Sequence, residues 1–144
     1  MRTMTLGDCD ALEALIDDAG AVNPRVELAG ELTVAWVACE VAGGRVLGYA
    51  LGWYVVDEFQ LLALGTLPAA RRRGAARTLL AHIIAATGAA GGRRVSLEVG
   101  QNNTAAVRLY ESVGFRVFNV RRAYYRKSQE DALEMELCIP TSTT

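Results

Sequence analysis

The order of apolar segments predicts one domain of mixed α/β class, in which a sheet carries helices on both faces. Short strand-like segments rich in Val, Leu and aromatic residues occupy both halves of the chain. Two amphipathic helical stretches separate the strands of the second half, which favours a layered sheet and helix packing. The length of 144 residues suits a single domain, which we place at residues 1–144.

The first half is expected to form a meander of antiparallel strands. Its predicted strands are Arg2–Leu6, Thr33–Val41, Val46–Val56 and Phe59–Leu67. Because Val46–Val56 is apolar on both faces, we expect it to be central. A helix capped by Asp8 is predicted to end near Ala19-Gly20, and a second helical piece begins at Asn23-Pro24.

The second half alternates helices and strands. The main helix is predicted from an apolar stripe at helical spacing, formed by Ala76, Leu79, Leu80, Ile83, Ile84 and Thr87. The elements that follow are the strand Arg94–Val99, the helix Asn103–Val113 that Gly114 ends, and the strands Phe115–Arg122 and Leu133–Ile139. We predict that Trp36 and Trp53 belong to the core, and we assign no function to His82 on the main helix.

A basic turn, Arg71–Arg73, stands immediately before the main helix. A helix N-terminus carries partial positive charge and unpaired N–H groups, so cations there are unfavourable in the free protein. An anion bound at this end would explain them, because Gly74, Ala75 and Ala76 are small enough to let it reach the backbone amides. A solvated basic turn is the alternative.

The pattern Arg71-x-x-Gly74-x-Ala76, after a strand and before a helix, resembles the acetyl-CoA-binding motif of the GNAT N-acetyltransferases. A Rossmann or P-loop fingerprint is absent. The resemblance implies a pyrophosphate cradle made of Arg71, Arg72, Arg73, Gly74, Ala75 and Ala76. It also implies pantetheine contacts at Leu64 and Thr66. The implied GNAT fold is a central mixed, mostly antiparallel sheet of six to seven strands flanked by about four helices, with parallel splayed strands at the cofactor site.

Leu97–Leu137 resembles more narrowly the RimI branch of this family, the ribosomal-protein-alanine N-acetyltransferases. The shared elements are Leu-Glu-Val, Asn-x-x-Ala, Leu-Tyr, Gly-Phe, Arg-x-Tyr-Tyr and Glu-Asp-Ala, in that order. Each of these elements is short, and the resemblance depends on the order in which they occur. The resemblance implies transfer of an acetyl group from acetyl-CoA to a protein N-terminal amine, with an alanine of a small-subunit ribosomal protein as acceptor.

Acetyl transfer to an amine needs a group that accepts a proton from the amine and one that protonates the departing sulfur. The resemblance puts the base at Glu98 and the acid at Tyr110, with Asn103 near the pantetheine. A strand N–H near Leu64 or Thr66 would stabilise the charge on the acetyl oxygen. Without the family, Glu98 is an exposed strand residue, Tyr110 packs in the core and Asn103 caps a helix.

Departures from the RimI pattern fall mostly on the acceptor side, although the cofactor strand also reads Ala63-Leu64-Gly65-Thr66 where Asn-Ile-Ala-Val is commoner. Val22–Arg25 has no tryptophan, Gly100 replaces the arginine that often follows Leu-Glu-Val, and Ala123 replaces an asparagine. Tyr124 and Tyr125 either border the peptide channel or pack the sheet. The alternatives are therefore an acetyltransferase of a small-molecule amine and a non-catalytic acyl-CoA-binding module.

Composition limits the partners. A net charge of -1 argues against nucleic acid, and no apolar run reaches the length of a membrane helix. Cys9, Cys39 and Cys138 lack metal-ligand spacing, so we expect no metal and reduced thiols. With no leader-like segment at the N-terminus, a cytoplasmic location is expected.

Overall fold

The described residues form a seven-stranded sheet with helices on both faces, as the sequence predicts. A computed structural model describes residues 1–5, 7–12, 27–40, 44–70, 74–125 and 130–140. The strands are β1 (Arg2–Thr3), β2 (Thr33–Cys39), β3 (Val46–Val55), β4 (Glu58–Thr66), β5 (Arg94–Gly100), β6 (Arg116–Tyr125) and β7 (Glu130–Cys138). The helices are α1 (Asp8–Ala11), α2 (Ala75–Ala89) and α3 (Thr104–Val113), with a 3-10 turn at Pro68–Ala70.

The sheet has the order β1-β2-β3-β4-β5-β7-β6, and its neighbouring strands are antiparallel except for β4 and β5. β3 is third in this order and is paired on both edges, so the prediction that it is a central strand is confirmed. β3 is buried from Val46 to Gly52 on both faces, because α2 packs on one side and α1 on the other.

The parallel pair β4 and β5 separates after a short ladder. Glu58–Leu61 pairs with Arg94–Leu97. Beyond these residues the described parts of β4 and β5 no longer pair with each other. Leu62 is the extra residue of a β-bulge, because Leu61 pairs with Gly52 of β3 and Ala63 pairs with the preceding Leu51. A bulge bends its strand, so β4 turns away from β5 directly after their last shared pair. The predicted splayed parallel strands are confirmed.

Two hydrophobic clusters hold the layers together. On one face α2 buries Leu79, Leu80 and Ile83 against the sheet. On the other face α1 packs Cys9 and Leu12 against β2 and β3. The predicted stripe of α2 is shifted in its first turn, where Ala75 is buried and Ala76 is only partly so, since Ala76 borders a cavity. Among the helices described here, none is long and apolar enough to span a membrane.

The N-terminal helix differs from its prediction. The described helix α1 runs from Asp8 to Ala11, and its N-cap residue is Gly7, which makes no side-chain capping bond. The predicted helix end near Ala19-Gly20 lies outside the described residues. The Asp8 carboxylate instead accepts hydrogen bonds from the Arg2 guanidinium (2.7 and 2.8 Å) and from the backbone N–H of Thr5 (2.8 Å). The bond from Arg2 holds the pKa of Asp8 at about 2. The predicted helix start at Asn23-Pro24 lies outside the described residues.

Both tryptophans are partly buried. Trp36 packs against the core cluster that contains α2, whereas Trp53 belongs to neither of the described clusters, which corrects its assignment to the core. The Trp53 indole donates a hydrogen bond to Glu27 Oε2 at 3.0 Å, and such a polar N–H favours the periphery. The Trp36 ring lies 5.7 Å from that of Phe59 and meets His82 edge-on at 5.1 Å, so His82 has a packing role.

The last hairpin is longer than predicted. β6 continues beyond Arg122 to Tyr125, and β7 begins at Glu130 rather than Leu133. A register shift between Arg121 and Tyr125 interrupts the alternation of side chains there, which is why the pattern alone did not indicate the extension.

Candidate active site

A cavity of about 990 Å³ lies where β4 and β5 part. The predicted site residues that line it are Leu64, Thr66, Gly74, Ala75, Ala76, Glu98, Asn103 and Tyr110. They come from two strands and two helices, so the fold brings together residues that are up to 46 positions apart, from Leu64 to Tyr110. Arg71–Arg73 lies outside the described residues, and its predicted role stays a prediction.

One wall of the cavity is the free edge of β4. Leu67 donates its backbone N–H to the Leu47 carbonyl, and Gly65 pairs with Tyr49 of β3. Backbone groups alternate in direction along a strand, so Leu67 and Gly65 face β3 whereas Thr66 and Leu64 face the opposite edge. Beyond Leu61 that edge has no partner strand among the described residues. The backbone groups of Leu64 and Thr66 therefore turn toward the gap.

A second wall is the N-terminus of α2. Gly74 is the N-cap residue in a left-handed conformation (φ 77°), and a Cβ placed there would meet nothing within 4 Å. In the part of the chain that the structure describes, no side chain caps this end and no acidic residue occupies the first turn. The first N–H groups of the helix, from Ala75 onward, are therefore available, and the helix dipole makes this end attractive to an anion.

Glu98 reaches the cavity from the opposite face of the sheet. Val95, Leu97 and Val99 of β5 pack into the cluster that contains α2, so the intervening Glu98 points to the other face. Its carboxylate side chain is 37% exposed, and Oε1 accepts a hydrogen bond from Arg121 Nη1 at 2.9 Å. A carboxylate that is open to solvent is suited to take a proton from an amine.

Tyr110 approaches from α3, on the face that also carries α2. It is the buried residue of this helix, and its ring meets Phe115 edge-on at 5.8 Å. Burial raises the pKa of Tyr110 to about 12, so the phenol remains protonated at neutral pH. Tyr110 therefore packs in the core and also borders the cavity, and its role as the acid stays a prediction.

Asn103 is the N-cap residue of α3. Its Oδ1 accepts a hydrogen bond from the backbone N–H of Ala106 at 3.2 Å, which is the capping role that the sequence left open. Asn103 also lines the cavity. The cap fixes the start of α3 and thereby the position of Tyr110, two helical turns further on.

The sequence reasoning missed several residues of the site. Arg77, in the first turn of α2, lines the cavity and donates a hydrogen bond to Ser112 Oγ at 2.8 Å. The sequence signal that could have indicated Arg77 was its position shortly after the basic turn Arg71–Arg73. Tyr49 borders the cavity from β3, and Arg121 binds Glu98 from β6. These two contacts join elements distant in sequence, and no local pattern indicates them.

Gly100 leaves room for an acidic side chain from β7. A Cβ at Gly100 would lie 2.4 Å from Glu130 Oε1, which accepts the backbone N–H of Asn102 at 2.7 Å. The arginine that often stands at this position in the RimI branch would displace that carboxylate. The Glu130 carboxylate therefore occupies the space that a side chain at position 100 would need.

Comparisons with known proteins identify the family of this chain. The model of the acetyltransferase (GNAT) family matches residues 12–115. The chain belongs to the GNAT family and is an N-acetyltransferase that uses acetyl-CoA. Its likeness to the RimI branch is confirmed by relatives and by structure.

The relatives include two bacterial enzymes. The "[Ribosomal protein bS18]-alanine N-acetyltransferase" of Salmonella typhimurium strain LT2 is 40% identical over 100 residues, which cover 68% of each chain. The "N-alpha-acetyltransferase RimI" of Mycobacterium tuberculosis is 41% identical over 98 residues, and the chain spans 60% of its length. The crystal structure of the ribosomal-protein-S18-alanine N-acetyltransferase from Escherichia coli superposes with a TM-score of 0.84 at 30% identity, covering 98% of this chain and 94% of that one.

Proposed function

We propose that this N-acetyltransferase acetylates the α-amine of a protein N-terminus, an alanine above all, and that a small-subunit ribosomal protein is its substrate. The names of its relatives support the acceptor. The structural observation that carries the proposal is that Glu98 and Tyr110 reach one cavity from opposite faces of the sheet. A base and an acid so placed can serve an amine and a sulfur on opposite sides of an acyl carbon.

The cosubstrate side is formed by α2 and by the free edge of β4. The N–H groups at the start of α2 and the predicted contribution of Arg71–Arg73 would hold the pyrophosphate of acetyl-CoA. The backbone of Leu64 and Thr66 would hold its pantetheine arm and stabilise charge on the acetyl oxygen. When bound, acetyl-CoA supplies an acyl group activated as a thioester. The open space at Gly74 and the uncapped helix end fit this role.

The proton transfers fall to two side chains. An ammonium group that becomes an amide loses two protons as the C–N bond forms and the C–S bond breaks. Glu98 takes the first proton and passes it to solvent. Tyr110 gives its phenolic proton to the departing sulfur and regains one from the second proton of the nitrogen.

The acceptor is tested by following thiol release from acetyl-CoA with a panel of amines. We expect turnover with a short peptide that begins with alanine and none with the same peptide after its N-terminus is formylated. Mass spectrometry should place one added acetyl group on the α-amine. Turnover of spermidine or an aminoglycoside with no turnover of any peptide would instead assign the enzyme to small-molecule amines.

The base is tested with Glu98→Gln, which keeps the size of the side chain and removes its charge. We expect kcat/KM for the peptide to fall by about 100-fold, with the largest loss at low pH, where the amine most needs a base. The control is Glu136→Gln. Glu136 of β7 lies on the same face of the sheet as Glu98, but it pairs with Arg94 away from the cavity. An unchanged pH profile in Glu98→Gln would remove Glu98 from this role.

A further inference from the structure

The proposed base is part of an ion cluster that spans three strands. Glu98 of β5 is the register partner of Glu134 of β7, so two carboxylates stand directly opposite each other on one face. Arg121 of β6 lies between them, with Nη1 2.9 Å from Glu98 Oε1 and Nε 3.4 Å from Glu134 Oε1. Asn119 adds a hydrogen bond from Nδ2 to Glu134 Oε2 at 3.0 Å.

The arrangement divides the two oxygens of Glu98 between two tasks. Arg121 occupies Oε1, whereas no residue in the described part of the chain bonds to Oε2. Because Glu98 lines the cavity, the second oxygen is the acceptor atom available to an incoming amine. Like charges directly opposite each other on adjacent strands are unfavourable, so Arg121 also offsets the repulsion between Glu98 and Glu134.

We infer that Arg121 is a positioning residue for the base: it fixes Oε1 of Glu98, leaves Oε2 for the amine, and bridges the carboxylate to that of Glu134. This inference rests on the proposed role of Glu98. The titratable or charged groups around Glu98, among the residues described, are Arg121 from β6, Glu134 and Glu130 from β7, and Tyr49, Arg77 and Tyr110 from the cavity lining. Arg121 is the cation bonded to Glu98, so its removal leaves Glu98 opposite Glu134 without that bond.

The test compares Arg121→Gln with Arg121→Gln/Glu134→Gln over the pH range of activity. In the single variant we expect kcat/KM for the acceptor at neutral pH to fall by about tenfold and its acid limb to move to higher pH. The KM for acetyl-CoA should stay unchanged, since the cosubstrate is held on the other face. The double variant should recover most of the loss, because the opposing carboxylate is gone.

The controls separate positioning from folding. Arg121→Lys keeps the charge and should retain the acid limb of the wild type even if Arg121→Gln is unstable. Arg122→Gln changes the neighbouring arginine, whose side chain is 88% exposed and pairs with Asp131 at 4.0 Å, and it should leave the profile unchanged. An acid limb that does not move in Arg121→Gln, or a loss that Glu134→Gln does not relieve, would overturn the inference.

The outcome is independent of which amine is the acceptor. The pH profile is measured with whichever amine the wild-type enzyme turns over, so a failed peptide assignment leaves this test intact. An unchanged profile in Glu98→Gln would refute the base itself. A changed profile in Glu98→Gln with an unchanged one in Arg121→Gln would refute only the positioning role.

Discussion

Leu61 of β4 and Leu97 of β5 form the last pair of the parallel ladder, and the site begins immediately beyond them. Leu62 is the bulged residue that turns β4 away, and Glu98 is the first residue of β5 past the pair. The same step therefore frees the backbone edge of β4 for the cosubstrate and places the carboxylate in the opening. The predictions below test the residues on either side of this gap.

Ala76→Glu should change stability and acetyl-CoA binding in opposite directions. A carboxylate in the first turn of α2 interacts favourably with the helix dipole, so we expect the free energy of unfolding to rise by about 0.5 kcal/mol. The same charge repels a pyrophosphate, so the affinity for coenzyme A should fall by about tenfold or more. Thermal unfolding and titration calorimetry measure the two effects.

The matched control for this substitution is Ala85→Glu, at an exposed position later in α2. It introduces the same side chain away from the helix N-terminus and should leave coenzyme A binding unchanged. Equal affinities of the Ala76→Glu variant and the wild type would contradict the assignment of this helix end to the pyrophosphate.

Gly74→Ala should weaken both folding and acetyl-CoA binding. Gly74 has φ 77°, where a Cβ costs about 1 kcal/mol of unfolding free energy, and the space around it is otherwise open. Gly91→Ala is the control, because Gly91 has φ 85°, equally open surroundings and a position at the far end of α2. The two variants should lose similar stability, while the KM for acetyl-CoA should rise only in Gly74→Ala. A similar rise in both variants would mean that loss of stability alone explains it.

Tyr110→Phe should slow the chemical step and leave the fold intact. The ring keeps its contact with Phe115, whereas the proton donor is lost, so kcat should fall by about 100-fold with little change in the unfolding temperature. Because burial holds the pKa of Tyr110 at about 12, the phenol of the wild type stays protonated up to strongly alkaline pH. Steady-state kinetics at neutral pH decide this, and an unaltered kcat would leave Tyr110 with its packing role only.

Asp8→Asn should remove a stabilising contribution that depends on pH. The pKa of Asp8 is held at about 2, below the ordinary value of 3.8, so its ionised form favours the folded state. The contribution is complete above about pH 4 and disappears as the pH falls toward 2. Since Arg2 is half exposed, we expect a loss of about 1 kcal/mol at pH 7.

Urea unfolding at pH 7 and at pH 2.5 measures the difference in the free energy of unfolding between the wild type and Asp8→Asn. The difference should shrink at the lower pH, and Asp57→Asn, in the exposed turn between β3 and β4, should show none at either pH. A difference that stays constant with pH would show that the ion pair with Arg2 is not its source.

Local sequence patterns were sufficient where the physical cause is local. The apolar period of α2 after its first turn, the asparagine that caps α3 and the glycine that ends α3 each act within a few residues, and the structure has them at the predicted places. The prediction that Asp8 caps α1 was wrong, because the groups that bind its carboxylate lie outside the helix. An aspartate at a helix start usually caps it, but here Arg2 and Thr5 bind its carboxylate, and the helix begins without it.

The sequence by itself determined the class of the fold and the segments that meet at the site, because hydrophobic period, turn residues and helix ends are written in neighbouring positions. Only the tertiary structure decided that Leu62 bulges from β4, that Glu98 and Tyr110 reach one cavity from opposite faces, and that Arg121 lies between Glu98 and Glu134. Each of these depends on the register between strands that are distant in the chain, and a shift of one residue would turn every side chain to the other face.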